Sequence, residues 1–195
     1  MGREKAQAEH QPLNQQRTRY GFAGFFLLSL LVCWTALRAV LYAEYHPENT
    51  PWKELVWTFL IGASRDLLVG STYCLPLCLW FLWVSNRRFA QLWHRWLLRL
   101  AVFFFWLVQI FLLFTEYFFF DEFRSRFNTV AVDYLLFPHE VFINIWDSYP
   151  VGKVLVACGA ASAVWLWLAE TRYRGMWLRP ISTKVRLTVV DVNQI

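Results

Sequence analysis

Charge is scarce in this chain. Only 17% of its 195 residues are Asp, Glu, Lys or Arg, against roughly a quarter in a soluble domain. The apolar residues, 57% of the total, are not spread with a strand or helix period but gathered into blocks. Together these two features exclude an ordinary water-soluble domain. Cysteine is used sparingly as well. Cys33, Cys74, Cys78 and Cys158 all fall inside apolar blocks, so they supply no disulfide framework. Cys74 and Cys78 stand one helical turn apart, but a metal site needs further ligands and no histidine is near in sequence. Small packing residues are the preferred reading of this pair over a metal site. The sequence has no zinc motif, no phosphate-binding glycine loop and no nucleophile elbow. No small-x-small cleavage site follows the first apolar block, which therefore reads as a retained anchor rather than a cleaved leader. No internal repeat is found.

What is present is four long apolar runs: residues 20–43, 56–84, 96–117 and 151–169. About 20 apolar residues cross a ~30 Å hydrocarbon core as a helix. The expected fold is therefore an all-α polytopic membrane bundle of about four transmembrane helices. A polar, Gln- and Arg-rich segment (1–19) is expected to be a disordered tail, and 171–195 a second tail. The second run exceeds one perpendicular span, so either it tilts or residues 55–64 lie partly in the interface. Pro76 is expected to kink it. Gly159, Ala160, Ala161, Ser162 and Ala163 offer small residues for close helix packing in the fourth.

The charges take sides. Thirteen Lys and Arg fall in the N-terminal segment, in the stretch from Arg87 to Arg99, and after the fourth run. Four (Lys53, Arg124, Arg126, Lys153) fall in the other two connections, beside acids such as Glu44, Glu48, Glu54, Asp121, Glu122 and Asp147. The positive-inside rule then places both tails and the 87–99 stretch in the cytoplasm. Trp80, Trp83, Trp93 and Trp96 bracket that stretch as an aromatic belt does. The net charge of +5 is spread in this way rather than forming one patch, so it gives no reason to expect a nucleic-acid partner. The implied partners are membrane lipids, with anionic phospholipid head groups among them.

Residues 118–150 are neither a clean span nor an ordinary loop. Aromatic residues alternate there with charges and amides, as suits interfacial amphipathic helices between the third and fourth spans. Connections of this length are often functional.

Ionisable groups at membrane depth are the sharpest chemical clue. Arg38, Arg65, Asp66 and Glu116 come from three different runs, and such charges are usually paired or functional. Two readings stand open. In one, the arginines neutralise Asp66 and Glu116 and hold the bundle together. In the other, they face a cavity and bind a lipid phosphate, which suits the planar guanidinium. His139 beside Glu140 suggests either an interfacial polar contact or, less favoured, an acid–base pair.

Some segments carry more than hydropathy: Arg126-Phe127-Asn128, Val132-Asp133-Tyr134-Leu135, His139-Glu140-Val141 and Asn144-Ile145-Trp146-Asp147-Ser148-Tyr149-Pro150, with Gly62 and Arg65-Asp66-Leu67 upstream. They lie within residues 62–67 and 116–151, about a fifth of the chain, and resemble the membrane region of bacterial lipoteichoic acid synthase-like proteins. These are the membrane-anchored branch of the sulfatase and alkaline phosphatase superfamily. The resemblance singles out Arg126, Asn128, Asp133, Tyr134, His139, Glu140, Asn144, Trp146 and Tyr149 as an outer interfacial motif. It implies an N-terminal bundle, typically of five helices, followed by an extracytoplasmic domain. There a metal-activated threonine moves phosphoglycerol or a related head group. None of the positions carrying that chemistry exists here, so no catalytic residue and no cofactor is assigned. A divalent metal would belong to the other domain. Residues 180–190 resemble the lead into a fifth helix, and the chain is expected to be a truncated member in a bacterial inner membrane.

Three functions follow as expectations. The first is the membrane anchor of a lipoteichoic acid synthase-like head-group transferase or hydrolase, inactive alone. The second is a self-sufficient small membrane protein, either lipid-binding or a transporter subunit. No second Gly/Pro-broken helix matches Pro76, which weakens the transporter case. The third is a membrane-embedded enzyme, for which only Asp66, Glu116, His139 and Glu140 offer candidates.

Overall fold

The computed structural model describes residues 19–46, 51–125, 136 and 138–173. Among the described residues are six helices: α1 (Arg19–Tyr45), α2 (Trp52–Trp83), the short α3 (Asn86–Phe89), α4 (Leu92–Phe123), α5 (Pro138–Ser148) and α6 (Val151–Tyr173). Four of them, α1, α2, α4 and α6, are long and apolar enough to cross a membrane. The described chain is all-helical, as expected of a segment that must satisfy every backbone amide and carbonyl internally in lipid.

Side-chain hydroxyls follow the same rule. Ser29, Thr72, Thr115 and Ser162 each donate to the carbonyl four residues back, at 2.9, 3.0, 3.0 and 2.7 Å. A hydroxyl that bonds its own helix can face an apolar neighbour without leaving a donor unmet.

Helix α1 lies antiparallel to α2, as the ring contacts Trp34–Tyr73 and Tyr42–Phe59 show. Helix α6 lies antiparallel to α4, and α4 runs parallel to α1. Trp106 of α4 is buried and stacks on Trp165 of α6, with ring centroids 4.5 Å apart. Phe26 of α1 meets both Trp106 and Phe105. This aromatic layer forms the centre of the core. The remaining surface is apolar: in the most apolar window of each long helix no more than 22% of residues are buried. Leu68, Val156 and Trp167 stand open. A face of this extent is untenable in water and ordinary in lipid.

The charges separate by end. Arg19, Arg87, Arg88, Arg95 and Arg99 gather where α1 and α4 begin, the basic end, with Glu170 among them; Glu44, Glu54, Asp121, Glu122, Glu140 and Asp147 outnumber Lys53, Arg124 and Lys153 at the other, the acidic end.

The structure redraws several boundaries. Helix α2 is continuous from Trp52 through Pro76 to Trp83, so residues 55–64 belong to the same helix as Asp66 rather than to a separate interfacial piece. Helix α4 runs on to Phe123, past the expected end at residue 117. Aromatic residues spaced four apart, such as Phe119 on Phe123 with ring centroids 4.6 Å apart, continue its packing beyond the first acids. It stops at Arg124, whose φ of 51° turns the chain left-handed while its amide donates to the Phe120 carbonyl. Arg19, assigned from sequence to the first tail, is buried in the first turn of α1. The small residues of α6 pack less than expected. Cys158 and Ser162 are buried, but a Cβ on Gly159 would meet nothing within 4 Å, and Ala160, Ala161 and Ala163 are exposed. Both antiparallel pairs approach closely, α4 with α6 and α1 with α2.

Candidate functional site

On α2, Gly62, Asp66, Gly70 and Cys74 recur every fourth residue and so share one face. That face meets α1. A Cβ on Gly70 would sit 2.7 Å from Leu27 Cδ1, and the buried Cys74 thiol donates to the Ala23 carbonyl at 3.8 Å. Small residues at this spacing let helices in lipid approach closely. Into this seam α1 sends Arg38. Its Nη2 donates to Asp66 Oδ2 at 2.8 Å, with the side chains only 10% and 16% exposed. The guanidinium lies over Gly62, where a Cβ would stand 2.6 Å from Nη2. Gly62 thus leaves the space that Arg38 fills. Arg38 Nη1 is buried without a hydrogen-bond partner among the described residues.

Of the four expected membrane-depth charges, the structure brings together Arg38 and Asp66. Arg65 is exposed on α2. Glu116 is half-buried on α4, toward the end where α1 and α4 meet. There Tyr45 donates to Asp121 at 2.9 Å and Tyr117 donates to Glu44 at 3.0 Å. Arg124 lies over the Tyr45 ring at 4.6 Å and 3.7 Å from Asp121. These contacts tie the two parallel helices at the acidic end.

At the basic end, Arg99 of α4 makes a two-pronged pair with Glu170 of α6, Nε to Oε1 at 2.8 Å and Nη2 to Oε2 at 3.1 Å. Trp80 Nε1 donates to Nε2 of the buried His94 at 2.9 Å, which fixes the short turn between α2 and α4. Arg19 covers the Phe89 ring at 3.5 Å.

The Arg99–Glu170 and Trp80–His94 contacts were not foreseen from the sequence. Glu170 and His94 each sit in what looks locally like a helix end, and nothing in the residues nearby names the partner. The four-residue spacing of Gly62, Asp66, Gly70 and Cys74 was the available signal for the α1–α2 seam.

The outer interfacial motif is described only in part. Arg126, Asn128, Asp133 and Tyr134 lie outside the described residues. His139 and Glu140 are exposed at the start of α5, and Trp146 is exposed and stacks on Phe142. Asn144 and Tyr149 belong to something else: the wall of a cleft of about 580 Å3 between the last turns of α4, α5 and the start of α6. Tyr149 closes one side by packing on Phe118, with ring centroids 5.1 Å apart. Among the described residues, no group of three His, Cys, Asp or Glu side chains is placed to hold a metal ion.

Comparison with family models, curated proteins and solved structures finds no match for this chain.

Proposed function

We propose that the chain serves as the membrane-anchoring unit of a lipoteichoic acid synthase-like head-group transferase, with catalysis supplied outside the membrane by a sulfatase-type domain. The observation that carries the reading is the Arg38–Asp66 pair seated on Gly62. The pair neutralises its own charge inside the α1–α2 seam. A part-buried ion pair ties the rotation of α1 to that of α2, and an anchor needs that fixed register. A permeation path needs charges facing water. The resemblance in Gly62, Arg65-Asp66-Leu67 and the segments from Arg126 to Pro150 supplies the head-group chemistry. Charge separation between the two ends supports a topology with the start of α1 and the turn between α2 and α4 in the cytoplasm. The expected location is a bacterial inner membrane.

The test is head-group transfer in membranes. Membranes from cells with and without the chain receive phosphatidylglycerol labelled in its head group. Transfer that depends on the chain, and vanishes when the purified chain is assayed alone, supports the anchor. Transfer unchanged by removing the chain sinks it. The second reading, a standalone lipid-binding membrane protein, is favoured by the cleft at the acidic end.

A further inference from the structure

We propose that the cleft between α4, α5 and α6 is a binding site for an amine-bearing phospholipid. One acyl chain lies along α4 and the ammonium group reaches Glu122. This stands on the cleft itself and not on the transferase reading.

The volume, about 580 Å3, falls within the range of roughly 300–1,000 Å3 that small-molecule sites occupy. Its shape follows from helix periodicity. Phe111, Phe114, Phe118 and Glu122 lie on one stripe of α4, and all four line the cleft. Side chains three and four apart are neighbours on a helix, so this stripe is apolar along its length and ends in a carboxylate. An amphiphile aligned with α4 would meet rings first and charge last. On the facing wall, Asn144 and Ser148 of α5 add an amide and a hydroxyl, donors suited to phosphate oxygens.

The sign of the charge selects the head group. Among the described residues, Glu122 is the charged side chain that lines the cleft. Of the nearby cations, Arg124 lies over Tyr45 of α1 and beside Asp121, and Lys153 is exposed on α6 and does not line the cleft. A head group that carries only negative charge is repelled by Glu122. One that carries an ammonium beyond its phosphate pairs with the carboxylate while the phosphate takes the α5 donors. The outward residues of α5, Phe142 and Trp146, are exposed apolar groups of the kind that seat a short helix in the membrane surface. The cleft mouth is thereby held at head-group depth.

The experiment is native mass spectrometry of the full chain from mixed micelles. These contain equal amounts of phosphatidylethanolamine and phosphatidylglycerol with identical acyl chains. The wild-type chain is expected to retain phosphatidylethanolamine about fivefold over phosphatidylglycerol, the factor that an ion pair of about 1 kcal/mol gives. Glu122→Gln should bring the two lipids to equal retention, with phosphatidylethanolamine falling and phosphatidylglycerol not reduced. Ser148→Trp, which fills the cleft, should lower total retention of both. Asn144→Trp gives the same test from a neighbouring turn if the first variant fails to fold, which size-exclusion chromatography detects. Equal retention in wild type and in a folded cleft-filling variant overturns the site. Preference for phosphatidylglycerol in the wild type, or a preference untouched by Glu122→Gln, overturns the amine assignment.

Discussion

Gly62→Ala tests whether Arg38 depends on the space beneath it. An alanine Cβ at this position would stand 2.5 Å from Arg38 Nε and 2.6 Å from Nη2. The guanidinium is the end of a flexible side chain, so it can swing aside, and overlap itself costs little. Swinging aside breaks the 2.8 Å bond to Asp66. A hydrogen bond to a charged group is worth about 1.5–3 kcal/mol. Alanine in a helix interior returns about 1 kcal/mol relative to glycine. The net expectation is destabilisation by about 0.5–2 kcal/mol. In an Arg38→Ala background nothing occupies the space, and the same substitution should stabilise by about 1 kcal/mol. The sign therefore reverses between backgrounds. Reversible unfolding in mixed micelles, followed by helix content and arranged as a double-mutant cycle, measures it. Stabilisation by Gly62→Ala in both backgrounds would refute the argument, because Arg38 would then not be held over Gly62.

Other consequences follow from the same packing. Asp66→Asn leaves the part-buried guanidinium without its counter-charge and should cost about 1.5–3 kcal/mol, whereas Arg38→Met with Asp66→Leu should be near neutral; the same unfolding assay separates them. Glu170→Gln should cost about 1–2 kcal/mol through the two-pronged Arg99 contact, which is about one-quarter exposed; exchange of the two residues should recover part of the loss. Trp106→Ala empties the centre of the aromatic layer and should cost about 3 kcal/mol, the lower end of such truncations, with near-ultraviolet circular dichroism reporting the lost ring stacking.

The four spans were legible because lipid demands a long unbroken apolar run, and residues 20–43 or 96–117 can be little else. Arg38 and Asp66 were legible for the same reason, since a charge inside such a run stands out. Their pairing was not, because it depends on how α1 and α2 are rotated about their own axes. The seam of Gly62, Gly70 and Cys74 sets that rotation, and it shows only when the helices are laid together. The end of α4 was missed because Asp121 and Glu122 look like a boundary in hydropathy, while the aromatic contacts of Phe118, Phe119 and Phe120 carry the helix past it. The cleft was hidden more deeply. Its walls come from residues more than twenty positions apart, and Asn144, Ser148 and Tyr149 read locally as ordinary interfacial residues.

Four crossings by α1, α2, α4 and α6 would put the basic and acidic ends on opposite sides of the membrane. Single-cysteine labelling in intact cells addresses this most directly. With Cys33, Cys74, Cys78 and Cys158 replaced, a cysteine is placed at exposed Arg87 in α3 or at exposed His139 in α5. A membrane-impermeant thiol reagent should label His139→Cys in intact cells and Arg87→Cys only after permeabilisation. Labelling of both positions from the same side would contradict the four-span account.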